Sequence, residues 1–171
     1  RLRLVEATIS VNESRKRDMG RRIIGVCGGS VRGKTICLLG LTFKANTDDM
    51  RAAPALTIAR TLVEQGANVR AHDPAGMAQA AAVLEEADFA ETAYEAAEGA
   101  DAVAIVTEWE AFRTLDLRRL AAAAKGRVLI DMRNVIDAEA ALEAGFTYVP
   151  IGRAPSKPDQ TEAVVIQAEA M

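Results

Sequence analysis

Apolar residues follow two different rhythms along this chain. From Arg1 to about Cys27 they recur at loose helical spacing, at Leu4, Val5, Ile9, Val11, Met19, Ile23, Ile24 and Cys27. Arg15, Lys16, Arg17, Arg21 and Arg22 crowd the polar side. The pattern predicts one long amphipathic helix, with a bend near Ser10 to Asn12 and a stop at Gly28-Gly29-Ser30. Its apolar stripe needs a partner: this domain, another domain, or a second subunit.

Beyond the glycines the rhythm changes to short apolar runs separated by helical segments. Lys34 to Gly40 reads as a buried parallel strand. Pro54 opens a helix with Ala55, Leu56, Ile58, Ala59, Leu62 and Val63 on one face, closed by Gly66. Asn68 to His72 is a second strand, ended by Asp73-Pro74. Gly76 to Glu86 reads as an Ala-rich helix, followed by a short strand around Phe89 and a helix over Glu91 to Glu98. Ala102 to Thr107 is a strongly apolar strand. Short helices follow at Trp109 to Phe112 and Leu117 to Ala124. Arg127 to Asp131 and Phe146 to Val149 are strands, flanking a helix over Ala138 to Ala144. From Pro150 onward the chain reads as loop. Strands alternating with helices imply right-handed crossovers. The expected fold is α/β, a Rossmann-like doubly wound parallel sheet preceded by a long amphipathic helix.

Composition narrows the setting. The chain has 171 residues, 50% hydrophobic and 26% charged, which suits a globular domain with a core of its own. A formal net charge of −3 argues against general nucleic-acid binding, while leaving room for a small anionic ligand in a local basic pocket. No apolar run approaches the roughly 20 residues of a membrane span. Cys27 and Cys37 form no CxxC pair, and His72 is the single histidine, so no common metal site is expected and a reduced cytoplasmic setting is. The first residue is Arg, and the opening reads as the middle of a helix, so a fragment or expressed domain is expected.

In an open parallel sheet, ligands bind beyond the carboxyl ends of the strands. The loop after the first strand runs Gly40-Leu41-Thr42-Phe43-Lys44-Ala45-Asn46-Thr47-Asp48-Asp49-Met50-Arg51. It is neither a GxGxxG fingerprint nor a P-loop, so pyrophosphate cannot approach the backbone in the usual way. Lys44 and Arg51, beside the helix start at Pro54, offer anion-binding groups. Pairing of the same two cations with Asp48 and Asp49 at the surface is an equally good reading. Arg133 and Asn134 follow the strand ending at Asp131, on the same rim, where an arginine suits phosphate, carboxylate or hydroxyl groups. Trp109 either walls a pocket or, as residue type favours, staples a short helix to the core. Asp73 is turn chemistry rather than a ribose acid. His72 reads as a half-buried strand residue, and Cys37 as buried and inert. No catalytic residue is expected in the chain, which reads as a binding module.

The stretch from Gly33-Lys34-Thr35 through GLTFKANTDDMRAAP resembles the nucleotide-sugar dehydrogenase family, with its pattern of strand, GxxFKxxTDDxR and an Ala-Pro helix start. Tyr94-Glu95-Ala96, Gly99-Ala100-Asp101-Ala102, Thr107-Glu108-Trp109, Phe112, Asp131-Met132-Arg133-Asn134, Gly145 to Tyr148 and Ile151-Gly152-Arg153 keep the family's order. The opening, with Val11-Asn12, resembles the end of the family's central helix. The resemblance implies the carboxy-terminal UDP-sugar-binding domain of an enzyme that oxidises UDP-glucose to UDP-glucuronate with NAD, through covalent intermediates at a catalytic cysteine. Related substrates would be UDP-N-acetyl-mannosamine or GDP-mannose; a free-standing nucleotide-binding module is the alternative from another class. It implies residues 1–30 as the end of the central dimerisation helix, 31–153 as the UDP-sugar domain and 154–171 as a tail. It implies further that NAD and the cysteine belong to amino-terminal and central domains absent here, that the complete enzyme is a homodimer, and that this chain alone is inactive. By position, Phe43, Lys44 and Arg133 resemble residues that contact the UDP-sugar. Arg51 resembles one that reaches NAD.

Overall fold

The computed structural model describes residues 2–158. The helical rhythm at the start becomes α1 (Arg3–Val26), one helix that runs through Ser10 to Asn12 without interruption. It ends where Gly28 and Gly29 take φ values of 89° and 86°, which side chains disfavour. The apolar runs become β1 (Thr35–Leu39), β2 (Asn68–His72), β3 (Ala87–Phe89), β4 (Ala102–Ile105), β5 (Val128–Asp131) and β6 (Thr147–Pro150). Between them lie α2 (Pro54–Glu64), α3 (Met77–Ala81), α4 (Ala93–Ala97), α5 (Glu110–Arg113), α6 (Leu117–Ala123) and α7 (Ala138–Glu143). All strands are parallel, in the order β3-β2-β1-β4-β5-β6. The chain reverses its direction of travel across the sheet between β1 and β4, so the crevice for a ligand opens above the ends of those two strands.

Each central strand serves two cores, because successive side chains point to opposite faces. Ile36 and Leu38 of β1 pack with Ala102, Ala104 and Ile130 beneath α1 and α2, where Ile23, Ile58 and Leu62 meet them. Cys37 and Leu39 pack with Val103, Ile105 and Leu129 on the other face, against Phe112, Leu120 and Phe146. Fully burying one such Leu or Ile stabilises the fold by about 1.5–3 kcal/mol. Both faces of the sheet are thus sealed, and the strand ends are left for chemistry.

α1 divides in two. Its second half lies against α2, with Ile23 fully buried and Gly20 so close that an added Cβ would fall 2.9 Å from Thr61 Cβ. Its first half leaves Leu4, Val5, Ile9 and Val11 exposed. The stripe therefore finds its partner in this domain only from about Met19 onward.

Two departures from the sequence expectation exceed a residue or two at an element's end. The helix expected over Gly76 to Glu86 stops at Ala81, because fully buried Leu84 turns into the core and Ala87 must reach β2 to pair with Val69. The expected loop after Pro150 folds back: Tyr148 and Ser156 exchange backbone hydrogen bonds of 2.8 and 2.9 Å, which covers the exposed edge of β6. The part of the expected tail from residue 159 to 171 lies outside the described residues. Among the described residues, no helix is long and apolar enough to cross a membrane.

Candidate nucleotide-binding site

The loop after β1 is fixed at its root by close packing. Gly40 has φ of 92°, and an added Cβ would lie 2.6 Å from Thr107 Cβ and 2.7 Å from Thr107 N. Only glycine lets the ends of β1 and β4 approach this far. Thr107 Oγ1 donates to Thr42 O at 2.9 Å, tying the two strand ends together.

Asp73, buried at the end of β2, organises the same root. Its Oδ2 accepts from Leu41 N at 2.7 Å, and at 3.1 Å each from Thr42 N, Thr42 Oγ1 and Trp109 Nε1. Its Oδ1 accepts from Ala75 N and Gly76 N at 3.0 and 2.8 Å. Burial pushes this carboxyl up, but the backbone donors of Leu41, Ala75, Gly76 and Thr42 outweigh it and hold the group below its ordinary 3.8. With every acceptor engaged by its own chain, Asp73 is not free to bind a ribose. Trp109 is the staple of the two sequence readings: 8% exposed, packed in the core, with its indole N–H on Asp73.

From this root the loop swings outward. Phe43 N donates to Asp49 O at 2.8 Å, closing a small lobe that turns at Asn46, φ 60°. Phe43 is 48% exposed at its edge. Arg51 lies back on Asp49, with Nε 3.0 Å from Oδ1 and Nη2 2.9 Å from Oδ2. The Arg51 hydrogen bonds hold the Asp49 carboxyl down at about 2. Asp48 accepts instead from Gln79 at 2.7 Å, and Lys44 is exposed with no ion pair among the described residues. The surface-pairing reading thus holds for Arg51 and not for Lys44. Ala52, at φ 56°, is a rare left-handed alanine just before α2.

The loop after β5 is built on a second buried carboxylate. Asp131 Oδ1 accepts from Arg133 N at 2.9 Å. Its Oδ2 accepts from Val135 N at 2.8 Å, and from Ile136 N and Tyr148 Oη at 2.9 Å each. Asn134, at φ 53°, brackets Ile151 by accepting from its N and donating to its O. Arg133 is thereby aimed across the end of β4. Its single Nε–H donates to Val106 O at 2.8 Å, so Glu108 Oε2, 3.1 Å from the same nitrogen, is an electrostatic neighbour and not a hydrogen-bond acceptor.

The two loops and α1 enclose a hollow of about 480 Å³, within the usual size of a small-molecule site. Phe43, Val106, Met132, Arg133 and Ile151 form the strand-end side. Ile9, Asn12, Glu13, Lys16 and Met19 form the α1 side, and Arg15 reaches in from the rim. The structure brings Phe43 and Arg133 together here. Lys44 and Arg51 stand on the same loop but outside the lining. Sequence reasoning missed the α1 wall. Its 9-12-13-16-19 spacing was visible, but not which surface that face would meet.

The remaining candidates lie elsewhere. Cys37 is fully buried, which pushes its thiol far up and keeps it unreactive; Cys27 is raised by partial burial. His72 is half-buried in β2, with Nδ1 3.0 Å from Ala90 O. Among the described residues no three His, Cys, Asp or Glu side chains gather as metal ligands. Nor do the residues present fit a dinucleotide in the usual Rossmann position, since Thr107 fills the space at Gly40 and Asp73 is saturated.

Comparison with known proteins follows the same loops. The model of the UDP binding domain of the UDP-glucose/GDP-mannose dehydrogenase family matches residues 37–138. The chain is 48% identical over 152 residues to the UDP-glucose 6-dehydrogenase of Rhizobium meliloti (strain 1021), covering 89% of this chain and 35% of that protein. It is 40% identical to UDP-glucose 6-dehydrogenase TuaD of Bacillus subtilis (strain 168), covering 88% and 33%. Among solved structures, a UDP-glucose dehydrogenase from the hyperthermophilic archaeon Pyrobaculum islandicum superposes with a TM-score of 0.71 at 33% identity, over 87% of this chain and 32% of that one. The chain thus spans about a third of the length of the relatives it matches.

Proposed function

The chain belongs to the UDP-glucose/GDP-mannose dehydrogenase family as its UDP-binding domain, and we propose that it holds the nucleotide sugar of a UDP-glucose 6-dehydrogenase, an NAD-dependent enzyme working in the cytoplasm as a homodimer. In this reading residues 31–153 form the nucleotide-sugar domain and residues 1–30 lead in from the dimer-forming central region. NAD, which supplies hydride acceptance when bound, and the catalytic cysteine come from parts of the enzyme beyond these residues. The enzyme converts UDP-glucose to UDP-glucuronate.

The observation that carries this reading is the convergence of Phe43 and Arg133, from the loops after β1 and β5, on one hollow at the switch point of the sheet. Phe43 offers an apolar edge for the nucleotide, and Arg133 a fixed guanidinium for its anionic or hydroxyl groups. Lys44, which forms no ion pair among the described residues, supplies a mobile charge at the mouth. Arg51, its side chain 91% exposed, faces outward toward a cofactor bound by another domain.

Titration calorimetry of the chain with UDP tests the proposal. The chain binds UDP in preference to GDP, and Arg133→Ala weakens UDP about tenfold, the loss of one partly exposed charge-assisted contact. Lys44→Ala weakens it more than Lys125→Ala, whose lysine pairs with Asp101 far from the hollow. Equal affinities for UDP and GDP, or no response to Arg133→Ala, would reject the assignment.

A further inference from the structure

The face that α1 turns toward the hollow has the wrong chemistry for packing. Ile9, Asn12, Glu13, Lys16 and Met19 recur every three or four residues and share one side of the helix. A helix face laid against its own domain is ordinarily apolar. Here the middle of that face is polar and charged, while the apolar Leu4 and Val11 are exposed on another side of the helix. Apolar packing resumes only at Met19, one turn before buried Ile23.

Lys16 is the most committed of these residues. Its side chain is only 17% exposed, against 46% for Glu13, and Nζ sits 2.7 Å from Glu13 Oε1. The ammonium has three donors, and one carboxylate contact leaves the others free. Across the hollow, Arg133 has already given its Nε–H to Val106 O and stands beside Glu108. Arg133 keeps its four Nη–H donors, so the hollow is faced by a cation from the helix as well as one from the sheet.

We propose that Lys16 is a recognition residue for the diphosphate of the bound nucleotide, and that Glu13 occupies it until the nucleotide arrives. This rests on the reading of the hollow as a nucleoside-diphosphate site. A diphosphate carries more charge than one carboxylate and displaces it from the ammonium. Partial enclosure strengthens that exchange by thinning the water around it. Glu13, whose carboxyl the Lys16 hydrogen bond holds below its ordinary value, stays ionised at neutral pH and repels the same anion. The i,i+3 pair thus sets how strongly α1 selects a diphosphate over a monophosphate.

Calorimetry of the chain with UDP and UMP decides the matter. Lys16→Met keeps the aliphatic stem and removes the charge; it is expected to weaken UDP about tenfold and UMP less than about threefold. Glu13→Gln is expected to strengthen UDP about threefold, a gain that a purely structural pair would not give. Arg21→Ala serves as control, since Arg21 is 71% exposed and pairs with Asp18 away from the hollow; UDP affinity stays within about twofold. Melting curves confirm that each variant is folded. Equal losses for UDP and UMP, equal losses for Lys16→Met and Arg21→Ala, or weaker UDP binding by Glu13→Gln would overturn the inference. UDP binding that answers to Arg133→Ala but not to Lys16→Met overturns it alone. Failure of the unsubstituted chain to bind UDP removes both this inference and the proposed function.

Discussion

The loops after β1 and β5 each close over a buried aspartate, but the two carboxylates are recruited from different distances. Asp131 ends β5 itself, and three of its donors are the N–H groups of Arg133, Val135 and Ile136, within five residues. Only the Tyr148 hydroxyl arrives from another strand. Asp73 ends β2, yet it serves Leu41 and Thr42 of the β1 loop and the indole of Trp109 beyond β4. The β5 loop is a local turn that its own sequence can shape. The β1 loop acquires its root only once β1, β2 and β4 are side by side. The hollow is therefore bounded by one self-made wall and one wall that reports on the assembly of the sheet.

The sharpest way to break this contrast is to neutralise each aspartate in turn. Asp73→Asn sets an amide N–H₂ against at least two of the six donors around this side chain and is expected to cost about 3–4 kcal/mol, against about 2 kcal/mol for Asp131→Asn. Urea unfolding measures both, and equal costs would erase the distinction between the two loops. The pH dependence follows from the sign of the Asp73 shift. Its carboxyl is lower in the folded chain than its ordinary 3.8, so the folded state favours the ionised form. That contribution is complete above pH 3.8 and disappears as pH falls through the lowered folded value. Urea midpoints followed from pH 5 downward should fall less steeply for Asp73→Asn than for the unsubstituted chain. Parallel profiles would mean that Asp73 does not carry the linkage.

Next in size is the contact beneath the β1 loop. Gly40→Ala places a methyl group against Thr107 backbone and side chain at a φ of 92°, so strain and overlap act together. The expected cost is about 2–3 kcal/mol, with weakened UDP binding because Phe43 rides on the displaced segment. An unchanged urea midpoint would show that the ends of β1 and β4 have slack, and that the loop is not fixed at its root.

The same division explains what could be read along the chain. The strands, their parallel pairing and the glycine that ends β1 were legible because apolar runs, crossovers and punctuation are local signals. The loop after β5 was legible as a rim segment for the same reason. The use of Asp73 was only half legible: Asp-Pro announced a turn, and the bonds to Ala75 and Gly76 are that turn. The bonds to Leu41, Thr42 and Trp109 span more than thirty residues, and no spacing rule announces them. Lys16 was hidden by a different cause. A basic residue on an amphipathic helix reads as a solvated face until the helix is known to lie across the strand ends.

The smallest expected effect tests the comparison from the outside of the β1 loop. Arg51 and Asp49 form a two-pronged contact, and Asp49 is held at about 2 by it, yet the Arg51 side chain is 91% exposed. Exposed ion pairs add little to stability because water and salt compete for both partners. Arg51→Ala should therefore leave the urea midpoint and the UDP affinity of the chain where they were, although the lobe containing Phe43 and Asp49 loses its most visible contact. If instead this substitution lowers the midpoint as Gly40→Ala does, the lobe is braced from its surface and not from Asp73 below. The β1 loop would then be as locally made as the β5 loop, and the contrast between the two walls of the hollow would fail.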